Sequence, residues 1–117
     1  MRHSINMDTL RQAIEQRNAD LLMSMYADEA RAQIVDRLHP PSSPLELRGK
    51  QAISDYMHDI CQRNMGHRLL EEVVGDNRIS FYQACQYPNG QRVLASSVLD
   101  LQNGKIVQQT IVQAWDE

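Results

Sequence analysis

The sequence predicts a single α+β domain in which N-terminal helices pack on one face of a curved, mainly antiparallel sheet. Apolar residues recur at helical spacing in the first third of the chain, and from His67 onward their period falls to two. Asn89-Gly90 and Asn103-Gly104 separate strand-like runs, and Asn-Gly is typical of tight hairpin turns. A chain of 117 residues is expected to fold as one domain over 1–117 with a core of its own.

The composition argues against several classes of protein. Hydrophobic residues make up 42% and charged residues 23%, which is typical of a globular domain. The net charge of -3 comes from interleaved acids and bases, so nucleic acid is not an expected partner. The N-terminus has no apolar signal segment and no apolar run is long enough to span a membrane, so we expect a cytoplasmic protein without a membrane partner.

Neither cysteines nor histidines form a metal-binding pattern. Cys61 and Cys85 belong to no closely spaced Cys/His set, and two unpaired thiols fit a reducing compartment. The four histidines share no ligand spacing. We therefore expect no metal and no cofactor.

Two short helices are predicted at the N-terminus. The first covers 7–17, and a break near Asn18 separates it from a second helix over 18–30. Asn18 or Asp20 is a plausible N-cap, since both side chains accept hydrogen bonds from free amides. This prediction places Tyr26 at the end of the second helix.

A short strand, a loop and a third helix follow. Loose alternation over 30–38 predicts a strand, and the three prolines within 39–44 predict a loop. The helix after Gly49 is amphipathic, and Gly66 is expected to end it. Its apolar face contains Ile53, Tyr56, Met57, Ile60 and Cys61.

The Gly49-Lys50 pair raises the question of a phosphate-binding loop. That motif needs a glycine five residues before Gly49 and a serine or threonine after Lys50. The sequence has Pro44 and Gln51 at those positions. We therefore interpret Gly49 as a helix entry with unusual backbone angles.

Four strand-length runs fill the second half of the chain. Asn89-Gly90 and Asn103-Gly104 are expected to form tight turns with positive φ at both central residues. The predicted strands, which follow one another as an antiparallel meander, cover 67–75, 78–88, 92–102 and 105–115.

Three short motifs occur in this order of elements: "YADEA" at 26–30, "GKQAI" at 49–53 and "NGKI" at 103–106. Together they resemble the SnoaL-like, nuclear-transport-factor-like superfamily, which includes ketosteroid isomerase and scytalone dehydratase. The resemblance covers nearly the whole chain and implies a cone-shaped fold with a pocket between helices and sheet. It also implies a small apolar ligand and a homodimer formed through the sheet.

The resemblance points to His67 and Tyr26 as candidate catalytic residues. Several relatives place a histidine in the pocket where the strand after the "GKQAI" helix begins, and His67 opens that strand. As a general acid or base it would move a proton, with alternation placing it beside Leu69, Glu71 and Val73. Tyr26 matches the family's aromatic at the cavity wall. The alternatives are a strand-end histidine bonded to a neighbour and a packed tyrosine with a bonded hydroxyl.

The predicted pocket wall comes from the third helix and the third strand of the meander. Where many relatives carry a pocket aspartate, alignment at the "NGK" turn gives Ser97, and Asp100 falls on the opposite face. The aspartate that often ends the last strand aligns with Ala114, and Asp116 lies two residues later; a bulge would shift either register. The predicted lining residues are Ile53, Tyr56, Met57, Ile60, Ser97 and Leu99.

Two functions remain open at this stage. The first is a cofactor-free isomerase, dehydratase or cyclase that acts on an apolar or polyketide-like molecule by proton transfer at His67, with help from Tyr26 or Tyr56. The second is a non-catalytic ligand-binding or dimerisation module of the same fold. In the second case the glutamines of the late strands would form a polar dimer face: Gln83, Gln108, Gln109 and Gln113.

Overall fold

The computed structural model describes residues 5–116 and contains one six-stranded sheet with three helices. The elements are α1 (Met7–Glu15), α2 (Ala19–Met23), β1 (Tyr26–Val35), β2 (Leu45–Arg48), α3 (Lys50–Gln62), β3 (Gly66–Val74), β4 (Arg78–Gln86), β5 (Arg92–Gln102) and β6 (Lys105–Trp115). The sheet order is β2-β1-β6-β5-β4-β3, with β1 and β6 parallel and all other neighbours antiparallel. The predicted α+β class is confirmed. Within residues 5–116, no helix is long and apolar enough to cross a membrane.

Asparagine side chains start the first two helices. The side chain of Asn6 accepts hydrogen bonds from the backbone amides of Asp8 and Thr9, and Asn18 accepts one from Leu21. These bonds satisfy amides that have no partner within the helix. Of the two caps predicted for the second helix, Asn18 is the one that the structure uses.

The second helix is shorter than predicted, and Tyr26 is the first residue of β1 instead of the end of a helix. The cause is tertiary pairing, because β1 lies parallel to β6 and the Ile106 amide donates to the Met25 carbonyl at 2.9 Å. The burial of β1 then alternates with period two. Its buried residues after the start are Ala30, Ala32 and Ile34.

The region around α3 confirms some boundaries and corrects others. Residues 39–44 form a loop as predicted, but Leu45–Arg48 is a strand that the sequence did not predict. Gly49 has φ 90 and precedes the first residue of α3. Gly66 does not end the helix, which stops at Gln62 because Arg63 is already extended. Gly66 is the first residue of β3.

The two Asn-Gly pairs form different turns. Asn103 and Gly104 have φ 54 and φ 75, which confirms the predicted turn between β5 and β6. In the other hairpin only Gly90 has positive φ, and its amide donates to the Tyr87 carbonyl at 2.9 Å. Pro88 fixes a negative φ at the first central position of this turn, so both central residues cannot be positive.

Each of two strands contains an extra residue. In β3 the pairing shifts between Leu70 and Val73, and Glu71 has φ 53, so the alternation predicted from His67 through Glu71 to Val73 is wrong beyond Leu69. In β6 the pairing shifts near the turn: Leu101 faces Ile106, but Asp100 faces Gln108. Val107 is therefore the extra residue of β6, and it reverses the face of every later residue.

The concave face of the sheet is built from cross-strand rows. Four such rows face the helices. The first contains His67, Cys85, Val93 and Trp115, and the second contains Leu69, Gln83, Ala95 and Gln113. The third contains Phe81, Ser97, Ile111 and Ile34, and the fourth contains Ile79, Leu99, Gln109 and Ala32. Most of these side chains are buried. The predicted inward alternation of β5, which includes Ser97 and Leu99, matches the burial of that strand.

Candidate ligand-binding cavity

A cavity of about 560 Å³ lies between the concave face and the helices, within the usual size range for small-molecule sites. Of the predicted site residues, the structure places six on its wall: Tyr26, Tyr56, Met57, Ile60, His67 and Leu99. Ile53 and Ser97 are not among the lining residues. Ile53 is fully buried on α3, and the short Ser97 side chain lies between Phe81 and Ile111, which are larger and do line the cavity.

His67 contributes an imidazole that is only 7% exposed. Its Nδ1 atom lies 3.0 Å from the amide nitrogen of Gln83 and 3.2 Å from the Sγ atom of Cys85. Its Nε2 atom is buried and has no hydrogen-bond partner among residues 5–116. Burial lowers the pKa of His67, and the charge of Arg17 lowers it further.

The contacts of His67 define where its proton lies. The amide nitrogen of Gln83 can only donate, so Nδ1 acts as the acceptor. A neutral imidazole then carries its hydrogen on Nε2. His67 is therefore arranged to donate a hydrogen bond from Nε2, and its lowered pKa favours this neutral form.

Tyr26 lines the cavity and is 2% exposed. Its hydroxyl donates to the side-chain oxygen of Gln109, which is also buried. Burial raises the pKa of Tyr26, so the phenol stays protonated. The hydroxyl hydrogen of Tyr26 is thus already used inside the protein.

Tyr56 has the opposite hydrogen-bond role. Trp115 Nε1 donates to the side-chain oxygen of Gln113 at 2.9 Å, which fixes the orientation of that amide. The amide nitrogen of Gln113 then points to the hydroxyl of Tyr56 at 3.5 Å, a long contact in which Tyr56 is the acceptor. Burial raises the pKa of Tyr56, and its hydroxyl hydrogen is left for another acceptor.

Three of the late-strand glutamines line the cavity, which contradicts their prediction as a dimer face: Gln83, Gln109 and Gln113. The extra residue Val107 causes this for Gln109 and Gln113, because it turns them to the concave face. Gln108 alone keeps the outward position, opposite Asp100. The cavity wall therefore carries amide groups at several depths.

Asp36 and His39 form a pair at the rim that the sequence did not indicate. Both line the cavity, and Asp36 Oδ1 lies 2.9 Å from His39 Nδ1 and accepts from the Leu38 amide at 2.9 Å. The turn that joins β1 to β2 brings them together. In the sequence, the feature that could indicate this turn is an Asp-x-x-His spacing followed by two prolines.

The remaining rim residues form a cluster of two arginines and two aromatic rings, which we call the rim cluster: Arg37, Arg63, Tyr87 and Trp115. The Arg37 guanidinium lies 4.0 Å from the centre of the Trp115 ring, and the Tyr87 ring stacks on Trp115 at 5.9 Å. Arg63 donates to the Tyr87 hydroxyl at 3.0 Å and pairs with Asp59 at 2.7 Å. Four different segments of the chain meet in this cluster.

The aspartates considered at the sequence level lie outside the cavity. Asp100 is on the convex side and pairs with Arg78 at 2.6 Å, and Asp116 accepts from the Arg92 amide at 2.9 Å. Ala114 is exposed, opposite Leu94. Among the residues that the structure describes, no group of three or more His, Cys, Asp or Glu side chains could hold a metal ion.

Solved structures with the same fold are numerous. An NTF2-like protein of unknown function from Mesorhizobium loti superposes with a TM-score of 0.81 at 17% identity, covering 92% of this chain and 87% of that one. A candidate ketosteroid isomerase from Kribbella flavida gives 0.76 at 10% identity, over 95% and 75% of the chains. A candidate polyketide cyclase from Sinorhizobium meliloti gives 0.67 at 16% identity, over 90% and 91%. No protein-family model and no curated protein matches the sequence.

Proposed function

We propose, from the nuclear-transport-factor-like fold and the geometry of its cavity, that this protein binds a small, mostly apolar molecule with a hydrogen-bonding oxygen. One observation carries the proposal: the Nε2 atom of His67 is buried at a cavity wall with no partner among residues 5–116. An unpaired buried donor costs about 1–3 kcal/mol, and a ligand oxygen that accepts from it recovers that cost.

Tyr56 supports the same ligand chemistry. Its hydroxyl hydrogen is not used by Gln113, and it lines the same cavity as His67. A ketone or hydroxyl oxygen is uncharged and accepts such hydrogen bonds, while the apolar body of the ligand packs against the apolar wall. That wall includes Leu10, Leu22, Phe81 and Leu99.

A matched pair of ligands tests this proposal. We expect acetonaphthone to bind roughly tenfold more tightly than ethylnaphthalene, the hydrocarbon of similar shape, because only the ketone accepts a hydrogen bond. In His67→Leu this difference should become several-fold smaller, because only Tyr56 still donates to the ketone, whereas His58→Leu, which changes a histidine outside the cavity lining, should keep it. Equal affinities of the two ligands for the unmodified protein, measured by calorimetry, would contradict the proposal.

A second candidate function is proton transfer by the Asp36–His39 pair. With Nδ1 of His39 bonded to Asp36 at 2.9 Å, the carboxylate orients the ring and leaves Nε2 to accept a proton. His67 would meanwhile donate to the ligand oxygen and stabilise the negative charge that develops there. A cofactor-free isomerase, dehydratase or cyclase would need these two roles, and two of the similar structures carry names of such enzymes.

Exchange of hydrogen for deuterium next to the carbonyl group tests proton transfer without knowledge of the natural substrate. We expect the protein to accelerate this exchange in bound acetonaphthone in heavy water, and His39→Gln to abolish the acceleration while ketone affinity is kept. His58→Gln is the matched control because it lies outside the cavity lining. Exchange that persists in His39→Gln would eliminate the pair as the catalytic group.

We also propose that the convex face of the sheet pairs with a second copy of the chain. Its centre is apolar and uncovered: Tyr82, Leu94 and Val112 are 42%, 46% and 49% exposed. The register places Tyr82, Ser96 and Val112 in one row, and Leu94 lies between Ala84 and Ala114 in the next. Contiguous exposed apolar side chains of this kind are typical of protein contact sites.

A further inference from the structure

The cavity differs in chemistry between its two ends. At the end formed by α1, α2 and the Leu99 row, its wall is built mainly from aliphatic and aromatic side chains. At the other end, where β1, α3, β4 and β6 finish, the wall is the rim cluster together with Asp36 and His39. A ligand that fills the cavity therefore has one end in an apolar environment and the other at a charged rim.

The rim is positive although the protein is negative. Among residues 5–116, the charged residues that line the cavity are Arg37, Arg63 and Asp36, a formal charge of +1 when the histidines are neutral, while the chain carries -3. The negative charge of Asp36 is directed into its own turn, where it meets His39 and the Leu38 amide.

Of the two arginines, Arg37 is the one whose guanidinium N–H groups are available to bind a ligand. Its central carbon lies over the Trp115 ring, 4.0 Å from the ring centre, and no carboxylate within residues 5–116 pairs with it. A guanidinium bound by its face keeps its in-plane N–H groups, which match the two oxygens of a carboxylate. Arg63 differs, because Asp59 and Tyr87 already accept from it.

We propose that the ligand is an amphipathic carboxylic acid, with its carboxylate on Arg37 at the rim and its apolar body inside the cavity. This rests on the proposed binding function and adds the charge and the orientation of the ligand. A carboxylate at this position meets a preoriented cation whose ring contact holds it in place, so little side-chain entropy is lost on binding. The single free guanidinium fits a monoanion better than a phosphate dianion.

Two fluorescent probes with the same apolar body test the proposal: pyrenebutyrate, which is an anion, and pyrenebutanol, which is neutral. We expect the unmodified protein to bind the acid about tenfold more tightly than the alcohol at low salt, since charge-assisted hydrogen bonds are roughly twice as strong as neutral ones. Arg37→Leu should remove this preference, so that the acid and the alcohol bind with similar affinity. Arg37→Lys, which keeps the charge without the planar fork, should retain part of it.

Arg92→Leu is the matched control, because Arg92 lies at the same end of the sheet, is exposed and does not line the cavity. It should keep the preference, although it removes the same charge. If both probes bind with equal affinity, the anionic ligand is excluded and the pocket remains. If neither probe binds, the binding function itself fails. A preference that survives in Arg37→Leu, or that Arg92→Leu also abolishes, would show that Arg37 does not hold the carboxylate.

Discussion

The Nδ1 atom of His67 lies 3.2 Å from the Sγ atom of Cys85, so two titratable groups on neighbouring strands share one buried contact. Burial lowers the pKa of His67 and raises that of Cys85 to about 11. Both groups are therefore neutral near pH 7. The contact is a thiol beside an imidazole and differs from the thiolate–imidazolium pair of a nucleophilic enzyme. Because Nδ1 accepts a hydrogen bond from Gln83, the neutral imidazole of His67 carries its hydrogen on Nε2 and can donate from that atom.

The first prediction concerns the effect of pH on stability. The folded state lowers the pKa of His67 below its ordinary value of 6.5, so the unfolded chain takes up the proton first as the pH falls. The stability that neutral His67 contributes is present above pH 6.5 and is lost as the pH falls through the folded pKa. We expect the free energy of unfolding in urea to drop less between about pH 8 and about pH 5 in His67→Gln than in the unmodified protein.

His58 provides a control of opposite sign. The Ser54 carbonyl and then Asp20 raise its pKa, so its contribution is present below 6.5 and is lost as the pH rises through the folded pKa. His58→Gln should therefore make the loss of stability on acidification larger, by a small amount because the group is exposed. An unchanged pH profile in His67→Gln would contradict the neutral, buried imidazole.

The second prediction concerns the two thiols. Cys85 is 8% exposed and its pKa is raised to about 11, whereas Cys61 is partly exposed on α3. Only the thiolate reacts with iodoacetamide, so Cys85 should stay unlabelled in the folded protein while Cys61 reacts slowly. Mass spectrometry of tryptic peptides measures both rates. Equal rates for the two thiols without denaturant would show that Cys85 is accessible.

The third prediction separates the two cavity tyrosines. Tyr26→Phe removes the donor to Gln109 and leaves a buried oxygen unpaired, so the free energy of unfolding should fall by about 1–3 kcal/mol. Ketone affinity should change little, because that hydrogen was already used. Tyr56→Phe should instead lower ketone affinity several-fold and leave stability within about 0.5 kcal/mol. The reverse assignment, with ketone affinity lost only in Tyr26→Phe, would make Tyr26 the ligand donor.

The fourth prediction tests the convex face. We expect the unmodified protein to sediment as a dimer and Leu94→Glu to sediment as a folded monomer, because a charge cannot be buried unpaired at the centre of the contact. Val73→Glu is the matched control, since Val73 is 65% exposed and lies on the edge strand β3, outside the central rows. A monomeric unmodified protein at micromolar concentration would refute the convex-face dimer.

The sequence predicts this fold well where local signals agree with tertiary structure. Asn18 ends the first helical segment by capping the next one, and the Asn103-Gly104 pair forms the expected turn. The prediction fails where long-range pairing decides the structure. Tyr26 follows a helical pattern but joins β1 because β6 pairs with it, and Leu45–Arg48 becomes a strand only because β1 offers an edge.

The candidate site is harder to predict, because its residues depend on register. The family resemblance implies a pocket role for His67, yet the unpartnered nitrogen that supports such a role is visible only in three dimensions. Gln109 and Gln113 were assigned to the wrong face because Val107 reverses the alternation and no local signal marks such a bulge. Asp36 and His39 lie in a turn whose shape the three following prolines do not reveal.

The extra residue in β6 has a consequence for how this cavity could change. Deleting Val107 would place Ile106 directly before Gln108, so the later residues would keep their partners on β5 and the same side chains would face the ligand. If the strand kept Val107 but paired it regularly with β5, the rest of the strand would rotate by half a period. The lining contributed by Gln109, Ile111, Gln113 and Trp115 would then be replaced by Gln108, Thr110, Val112 and Ala114. The chemical character of this wall thus depends on one residue staying unpaired, and a slip of one position in register would exchange the ligand-facing surface for the convex one.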